Sequence, residues 1–258
     1  MNPTEQKPTV LEMNDVSVAS AFRTEVVVIA DVQWEVAKNE FWVIGGLHSS
    51  GKTDLLLTAA GLQRPAKGFV TIFGKQQGNL EESELMEERR RIGVVFENGG
   101  RMFRQLTVVE NIALPLRYHE NLSAAESEER IHSILECTGL TPFAHNTIGA
   151  LSPPWQQRVG LARALALKPE LLLIDKPSIG ARYMAWWQDF LQKLAEGSIF
   201  EGHPMTLVLT TDDFRDWANL GTHFAMVKKK RWHLLGGKAE LARSQDELWR
   251  DLTGEISI

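Results

Sequence analysis

Apolar residues fall into short runs along the chain. Val26-Val27-Val28-Ile29, Phe41-Trp42-Val43-Ile44, Phe69-Val70-Thr71-Ile72-Phe73 and Ile92-Gly93-Val94-Val95-Phe96 are β-branched or aromatic stretches between turn formers, which predicts strands. Leu207-Val208-Leu209 and Phe224-Ala225-Met226-Val227 read the same way. Leu171-Leu172-Leu173-Ile174 has no polar alternation, so it predicts a strand buried on both faces. From Val108 to Gly139 the period changes. Ile131, Ile134 and Leu135 recur at helical spacing behind Ser123, a good N-cap, with Glu126 three residues later. Val159 to Leu167 predicts a compact helix that passes through Pro169 into the Leu171 strand. Strands alternating with helices predict an α/β fold with a mostly parallel sheet covered on both faces. The stretch near 98–155 is almost purely helical and predicts an inserted lobe. Residues 1–10, polar and Pro-bearing, predict a loose N-terminal arm.

Composition narrows the function classes. The chain has 258 residues, 43% hydrophobic and 24% charged, enough for one large domain with a real core. A net charge of -5 leaves no electrostatic footprint for nucleic acid. The cluster Lys228-Lys229-Lys230-Arg231 is short, closes a hydrophobic run and reads as a solvated strand end. The single cysteine, Cys137, excludes an intrachain disulfide, fits a reducing cytosol and reads as an apolar filler on a helix. The start of the chain lacks a signal-peptide pattern. No apolar run approaches the ~20 residues that cross a bilayer, so a link to a membrane is expected through a partner and not by insertion.

Gly46-Leu47-His48-Ser49-Ser50-Gly51-Lys52-Thr53 matches G-x-x-x-x-G-K-S/T between a predicted strand and a predicted helix. Glycines let such a loop turn its backbone N–H groups toward phosphate oxygens. The helix N-terminus adds partial positive charge. Lys52 suits the terminal phosphates and the Thr53 hydroxyl suits Mg²⁺. His48 either fills space or hydrogen-bonds to phosphate. Asp54 places an anion at the helix start, where it is stabilised by the dipole but competes with a nucleotide for the same field.

The rest of the chain resembles ABC transporter ATPases. Leu151-Ser152 with Gln156-Gln157-Arg158-Val159-Gly160-Leu161-Ala162-Arg163-Ala164-Leu165 is similar to their signature region and following helix. Leu171-Leu172-Leu173-Ile174-Asp175 resembles their Walker B strand, and Pro177 and Gly180 fall in the next loop. The resemblance implies a P-loop NTPase with a RecA-like parallel core, an N-terminal antiparallel β portion and an inserted helical subdomain. It covers a single domain over 10–235, with a tail over 236–258. It implies ATP and Mg²⁺ as cofactors, with Thr53, Asp175 and Glu97 on the metal side and Ser152 offered to a nucleotide held by a second subunit. It implies a cytoplasmic subunit, peripheral at the inner face of the membrane. There it docks on an integral-membrane permease and pairs as a homodimer or with a different ATPase. A finer similarity to lipid importers of the Mla/Mce type rests on Leu106-Thr107-Val108-Val109-Glu110-Asn111-Ile112-Ala113-Leu114-Pro115-Leu116-Arg117. It rests also on Ala239-Glu240-Leu241-Ala242-Arg243-Ser244, with Leu252 and Gly254.

Against that pattern the chain departs at five places. Lys176 stands where the family's catalytic Glu follows the Walker B Asp. Thr211 stands at the switch His and Glu97 at the Q-loop Gln. Arg182 ends the loop that should end in Asp, and Pro153-Pro154 replace the two signature glycines. An ammonium cannot accept a proton at neutral pH unless strongly buried. Threonine does not titrate there, and proline has no N–H. Ser152 followed by Pro153 still suits a helix start, with Ser as N-cap. A positioned general base is worth about 10²–10⁴ in rate. The expectation is therefore an ATP-binding subunit with little hydrolysis. A working transport ATPase and a scaffold that binds no nucleotide are the alternatives.

Other residues divide between site and structure. Phe22 lies where the family places an aromatic against adenine, and otherwise reads as core. Arg101-Met102-Phe103-Arg104 suits either a permease groove or a surface loop with one buried Phe. Trp186-Trp187 reads as core packing with one half-exposed ring.

Overall fold

The structure, a computed structural model, describes residues 7–120, 122–177, 181–200 and 202–241. Gly180, Ala242, Arg243, Ser244, Leu252 and Gly254 lie outside the described residues, and Arg182 outside the described side chains.

A parallel core carries the most continuous apolar runs. Strands β3 (Phe41–Gly46), β7 (Leu171–Asp175) and β8 (Thr206–Thr211) are buried along their whole length. They pair in parallel: Val43 lies opposite Leu209, and Leu209 opposite Ile174. Strand β6 (Ile92–Val95) adds to β7 and β9 (His223–Lys228) adds to β3, both parallel. The antiparallel part comprises β1 (Thr9–Ala19), β2 (Val27–Ala37), β4 (Lys67–Ile72), the short β5 (Lys75–Gln76) and β10 (Arg231–Gly237). Together they form one sheet in the order β5-β4-β1-β2-β10-β9-β3-β8-β7-β6. Helices cover both faces, as fully apolar strands require. Helix α1 (Lys52–Ala59) inserts Leu55 and Leu56 between the parallel strands and the β1–β2–β4 portion. Helix α6 (Ala181–Glu196) places Trp187, Phe190 and Leu191 on the opposite face.

One expectation is corrected. Thr9 and Val10 belong to β1 and not to a loose arm: Val10 is 3% exposed and its carbonyl accepts from Phe73 N–H at 3.0 Å. The cluster Lys228–Arg231 is the solvated strand end expected, closing β9 and turning the chain into β10. Lys229 and Lys230 take φ of 49° and 61°, the positive values of a type I′ connection between β9 and β10.

The helical lobe has its own core. Val108, Ile112 and Leu116 of α3 (Val108–His119) meet Ile131, Ile134 and Leu135 of α4 (Ala124–Cys137). Both pack on the Val159–Ala162 face of α5 (Pro153–Leu165). The expected cap of α4 is present: Ser123 Oγ accepts from Glu126 N–H, and Glu126 Oε2 accepts from Ser123 N–H at 2.9 Å. Helix α2 (Glu82–Arg90) is nearly all polar and was not expected from periodicity.

Candidate functional site

β3 ends at Gly46 and α1 begins at Lys52, so the glycine-rich loop spans the carboxyl end of a central strand and a helix N-terminus. Its glycines answer to space and dihedral angle. A Cβ at Gly45 would lie 2.0 Å from the Phe214 ring. Gly51 takes φ of 97° and a Cβ there would press Val28 at 3.1 Å. Gly51 is also the N-cap of α1 and offers no side chain to cap it, which leaves the first-turn N–H groups for an incoming anion. Ser49 is exposed at φ of 59°, and Ser50 Oγ accepts from Lys52 Nζ at 3.3 Å.

Lys52 is buried in the loop. Its Nζ donates to the carbonyls of Gly46 at 2.8 Å and Leu47 at 2.9 Å. Burial pushes its pKa down, against the pull of Asp212. Thr53 Oγ1 donates to Asp175 Oδ2 at 2.7 Å, and Thr210 Oγ1 donates to Asp175 Oδ1 at 2.7 Å. Asp175 closes β7, Thr210 lies in β8 and Thr53 opens α1, so three elements converge on one carboxylate. Hydroxyl and carboxylate oxygens are the hard donors that suit Mg²⁺, which takes few protein ligands alongside substrate phosphates. The loop and the Thr53–Asp175 pair therefore fit a magnesium–polyphosphate group.

The other expected residues make contacts of their own. Glu97 sits in a 3₁₀ turn over Glu97–Gly99, exposed, with no hydrogen bond to Thr53 or Asp175. The Thr211 hydroxyl is turned to its own loop: it donates to Asp213 O at 2.7 Å and accepts from Asp213 N–H at 3.0 Å. Ser152 holds the N-cap position of α5 but makes no side-chain cap, and Pro153 and Pro154 fill the first helical positions. Phe22 is 98% exposed, which removes the core reading. Beside it, Ala21 N–H donates to Asp54 Oδ1 at 2.7 Å. Asp54 thus ties α1 to the Phe22 segment. Its pKa is raised, first by burial and then by the nearby Asp175 charge, against the Ala21 hydrogen bond.

Lys176 has φ of 43° and turns its Nζ to Asp212 Oδ2 at 2.8 Å and His48 Nδ1 at 3.1 Å. An ammonium only donates, so His48 accepts at Nδ1. Asp212 escaped sequence reasoning. Its other oxygen accepts from Lys52 Nζ at 2.8 Å, so one carboxylate bridges two lysines distant in sequence. Gln157 was read only as part of the signature stretch, and its contacts escaped too. This buried residue on α5 donates from Nε2 to the carbonyls of Phe96, Asp175 and Lys176, at 3.3, 3.2 and 2.9 Å, bracing the ends of β6 and β7. Neither residue carries a spacing or composition signal.

The chain is similar to known proteins of one family. The ABC transporter family model matches residues 29–179. The chain is 34% identical over 186 residues to the methionine import ATP-binding protein MetN 2 of Paraburkholderia xenovorans, covering 70% of this chain and 48% of the relative. It is 31% identical over 230 residues to the sulfate/thiosulfate import ATP-binding protein CysA of Nocardia farcinica, covering 88% of this chain and 66% of the relative. The chain spans about half the length of the methionine-import relatives it matches. A dimeric ATP-binding cassette solved in a post-hydrolysis state with ADP and phosphate aligns at a TM-score of 0.76 with 28% identity, over 86% of this chain and 96% of the other. With the Gly46–Thr53 loop, Asp175 and the helical lobe all inside the matched span, the chain belongs to the ABC transporter family as an ATP-binding domain.

Proposed function

We propose that this chain is the nucleotide-binding subunit of an ABC import complex, that it holds Mg-ATP and that it hydrolyses ATP slowly. One observation carries the reading: the loop buries Lys52 beside the Thr53–Asp175 pair, while the side chain after Asp175 is an ammonium already paired with Asp212. Lys52 and the loop N–H groups hold phosphate oxygens, Thr53 and Asp175 hold the metal, and exposed Phe22 takes the adenine. The bound metal supplies charge neutralisation on the phosphates. What the chain lacks is a proton acceptor for the attacking water. Glu97 is exposed and makes no hydrogen bond to Thr53 or Asp175. Asp212 is held anionic by two ammonium groups, which makes it a weak base.

A permease and a second ATP-binding subunit, the same or different, are the partners of this reading, at the cytoplasmic face of a membrane. Among the described residues no helix is long and apolar enough to cross one. Import is supported by the names of the methionine and sulfate relatives. A lipid cargo of the Mla/Mce type rests, among the described residues, on the sequence Leu106 to Arg117 and on Ala239-Glu240-Leu241.

Calorimetry and phosphate release on the purified chain test the proposal. Mg-ATP binding is expected, abolished by Lys52→Ala. A typical turnover of about 10 s⁻¹, reduced by the ~10²–10⁴ of a positioned base, leaves roughly 10⁻³–10⁻¹ s⁻¹. Ordinary transporter rates would instead establish a working ATPase. No heat with Mg-ATP would establish a scaffold.

A further inference from the structure

Lys52 and Lys176 are both withdrawn from water, with side chains 2% and 11% exposed, and both point at Asp212, whose side chain is 33% exposed. Each takes one oxygen at 2.8 Å. His48 Nδ1 closes the group, 3.1 Å from Lys176 Nζ and 3.8 Å from Asp212 Oδ2. The remaining acceptors of Lys52 are neutral: two loop carbonyls and the Ser50 hydroxyl. A buried cation gives up its counter-ion only to another anion, because an unpaired buried charge is strongly unfavourable. The turn that carries Asp212 is braced on one side by Thr211, whose hydroxyl bonds both the N–H and the carbonyl of Asp213. On the other side Arg215 pairs with Asp213. A braced turn holds the carboxylate in place before any ligand arrives.

We propose that Asp212 is a tethered anion that keeps Lys52 and Lys176 paired until the terminal phosphate of a nucleoside triphosphate displaces it. This inference rests on the reading that the loop binds nucleotide. It adds a competitor within the chain and gives Lys176 a role in ligand choice, since the second ammonium makes the exchange depend on the most highly charged end of the ligand. A diphosphate, which lacks that end, gains little from the exchange. Asp212 acts through the lysines and is a positioning residue.

The full-length chain, wild type and Asp212→Asn, is titrated with Mg-ATP and Mg-ADP by calorimetry. The asparagine keeps shape and loses charge. Mg-ATP is expected to bind at least tenfold more tightly to the variant, and Mg-ADP to change by less than threefold. Asp212→Glu returns Mg-ATP affinity toward wild type, because the charge is restored. Asp212→Ser reads the same competition should the asparagine variant fold poorly, and is expected to tighten Mg-ATP likewise. A merely structural role weakens binding of both nucleotides, so tightening is specific to competition. Equal or weaker Mg-ATP binding in folded variants, still dependent on Lys52, overturns the tethered anion and leaves the nucleotide site standing. Absence of Mg-ATP heat in wild type and all variants overturns the nucleotide reading itself, and this inference with it.

Discussion

Cys137 lies on α4, its Sγ donating to the Ile134 carbonyl at 3.4 Å. Burial pushes the thiol from 9.0 up to about 11, which leaves roughly a hundredfold less thiolate near pH 8. Alkylation by iodoacetamide near that pH is expected to be at least a hundredfold slower in native protein than in denaturant. Native labelling at the denatured rate would contradict the burial of this helix face. Its sequence reading as an apolar filler needed only composition and helical position. Lys52 and Thr53 were equally legible, because a spacing rule carries both, and Asp175 was legible through the family resemblance of its strand. Asp212 was not. Its meaning comes from two lysines 160 and 36 residues away, and no local pattern records such a meeting. The same limit hid what Thr211 does: it stands at the family's histidine position but spends its hydroxyl on the turn beside Asp212.

Elements with one uniform environment read clearly, and those held by polar contacts did not. β3, β7 and β8 were visible as apolar runs because both of their faces are covered. β1 was hidden by register shifts that spoil its alternation, and β10 by having no strongly buried face. α2 has almost no apolar residues and is anchored through Glu88. That carboxylate, 4% exposed, accepts from Lys75 Nζ at 2.7 Å and from Arg91 at 2.6 Å. Arg91 goes on to Glu170 at 2.8 Å and lies over the Phe73 ring at 3.7 Å. Burial raises the Glu88 pKa, but the hydrogen bonds from Lys75 and Arg91 outweigh it and hold the carboxyl below its ordinary value. A carboxylate with a depressed folded pKa stabilises the protein above the ordinary carboxylate range. That contribution is lost as pH falls through the lower folded value. Glu88→Gln is expected to lower stability by about 1–2 kcal/mol at neutral pH, less than for a wholly buried pair because both partners are half exposed. In urea titrations the gap to wild type should close as the pH falls below about 4. A gap independent of pH would show that the charge is not what anchors α2.

Across the whole molecule, the lobe and the parallel core share one wall, helix α5. Val159 and Ala162 face the lobe, while Leu161 and Leu165 face the sheet. The lobe was legible as a helical stretch; its attachment was not, because that depends on rings brought together from three segments. Phe143, beyond α4, packs on Trp155 of α5 at 4.5 Å between centroids. Arg158 lies between Trp155, at 4.4 Å, and Trp186 of α6, at 3.6 Å. Trp186 then stacks on Phe190 at 4.8 Å. Arg158 is 8% exposed, has no carboxylate partner among the described residues, and its pKa falls to about 10 through burial. The aromatic faces are therefore its main favourable contact, and a desolvated cation–π contact is worth about 2 kcal/mol. Arg158→Ala removes the middle of this stack while leaving the core of the lobe and the core of the sheet untouched. The lobe should then open separately from the parallel strands. Amides of α3 and α4 are expected to exchange with solvent roughly 30-fold faster, the factor that about 2 kcal/mol of lost opening free energy gives. Amides of β3, β7 and β8 should keep their wild-type rates. Equal acceleration in both sets would mean that Arg158 supports the fold as a whole. No acceleration in either would mean that α5 alone joins lobe to core.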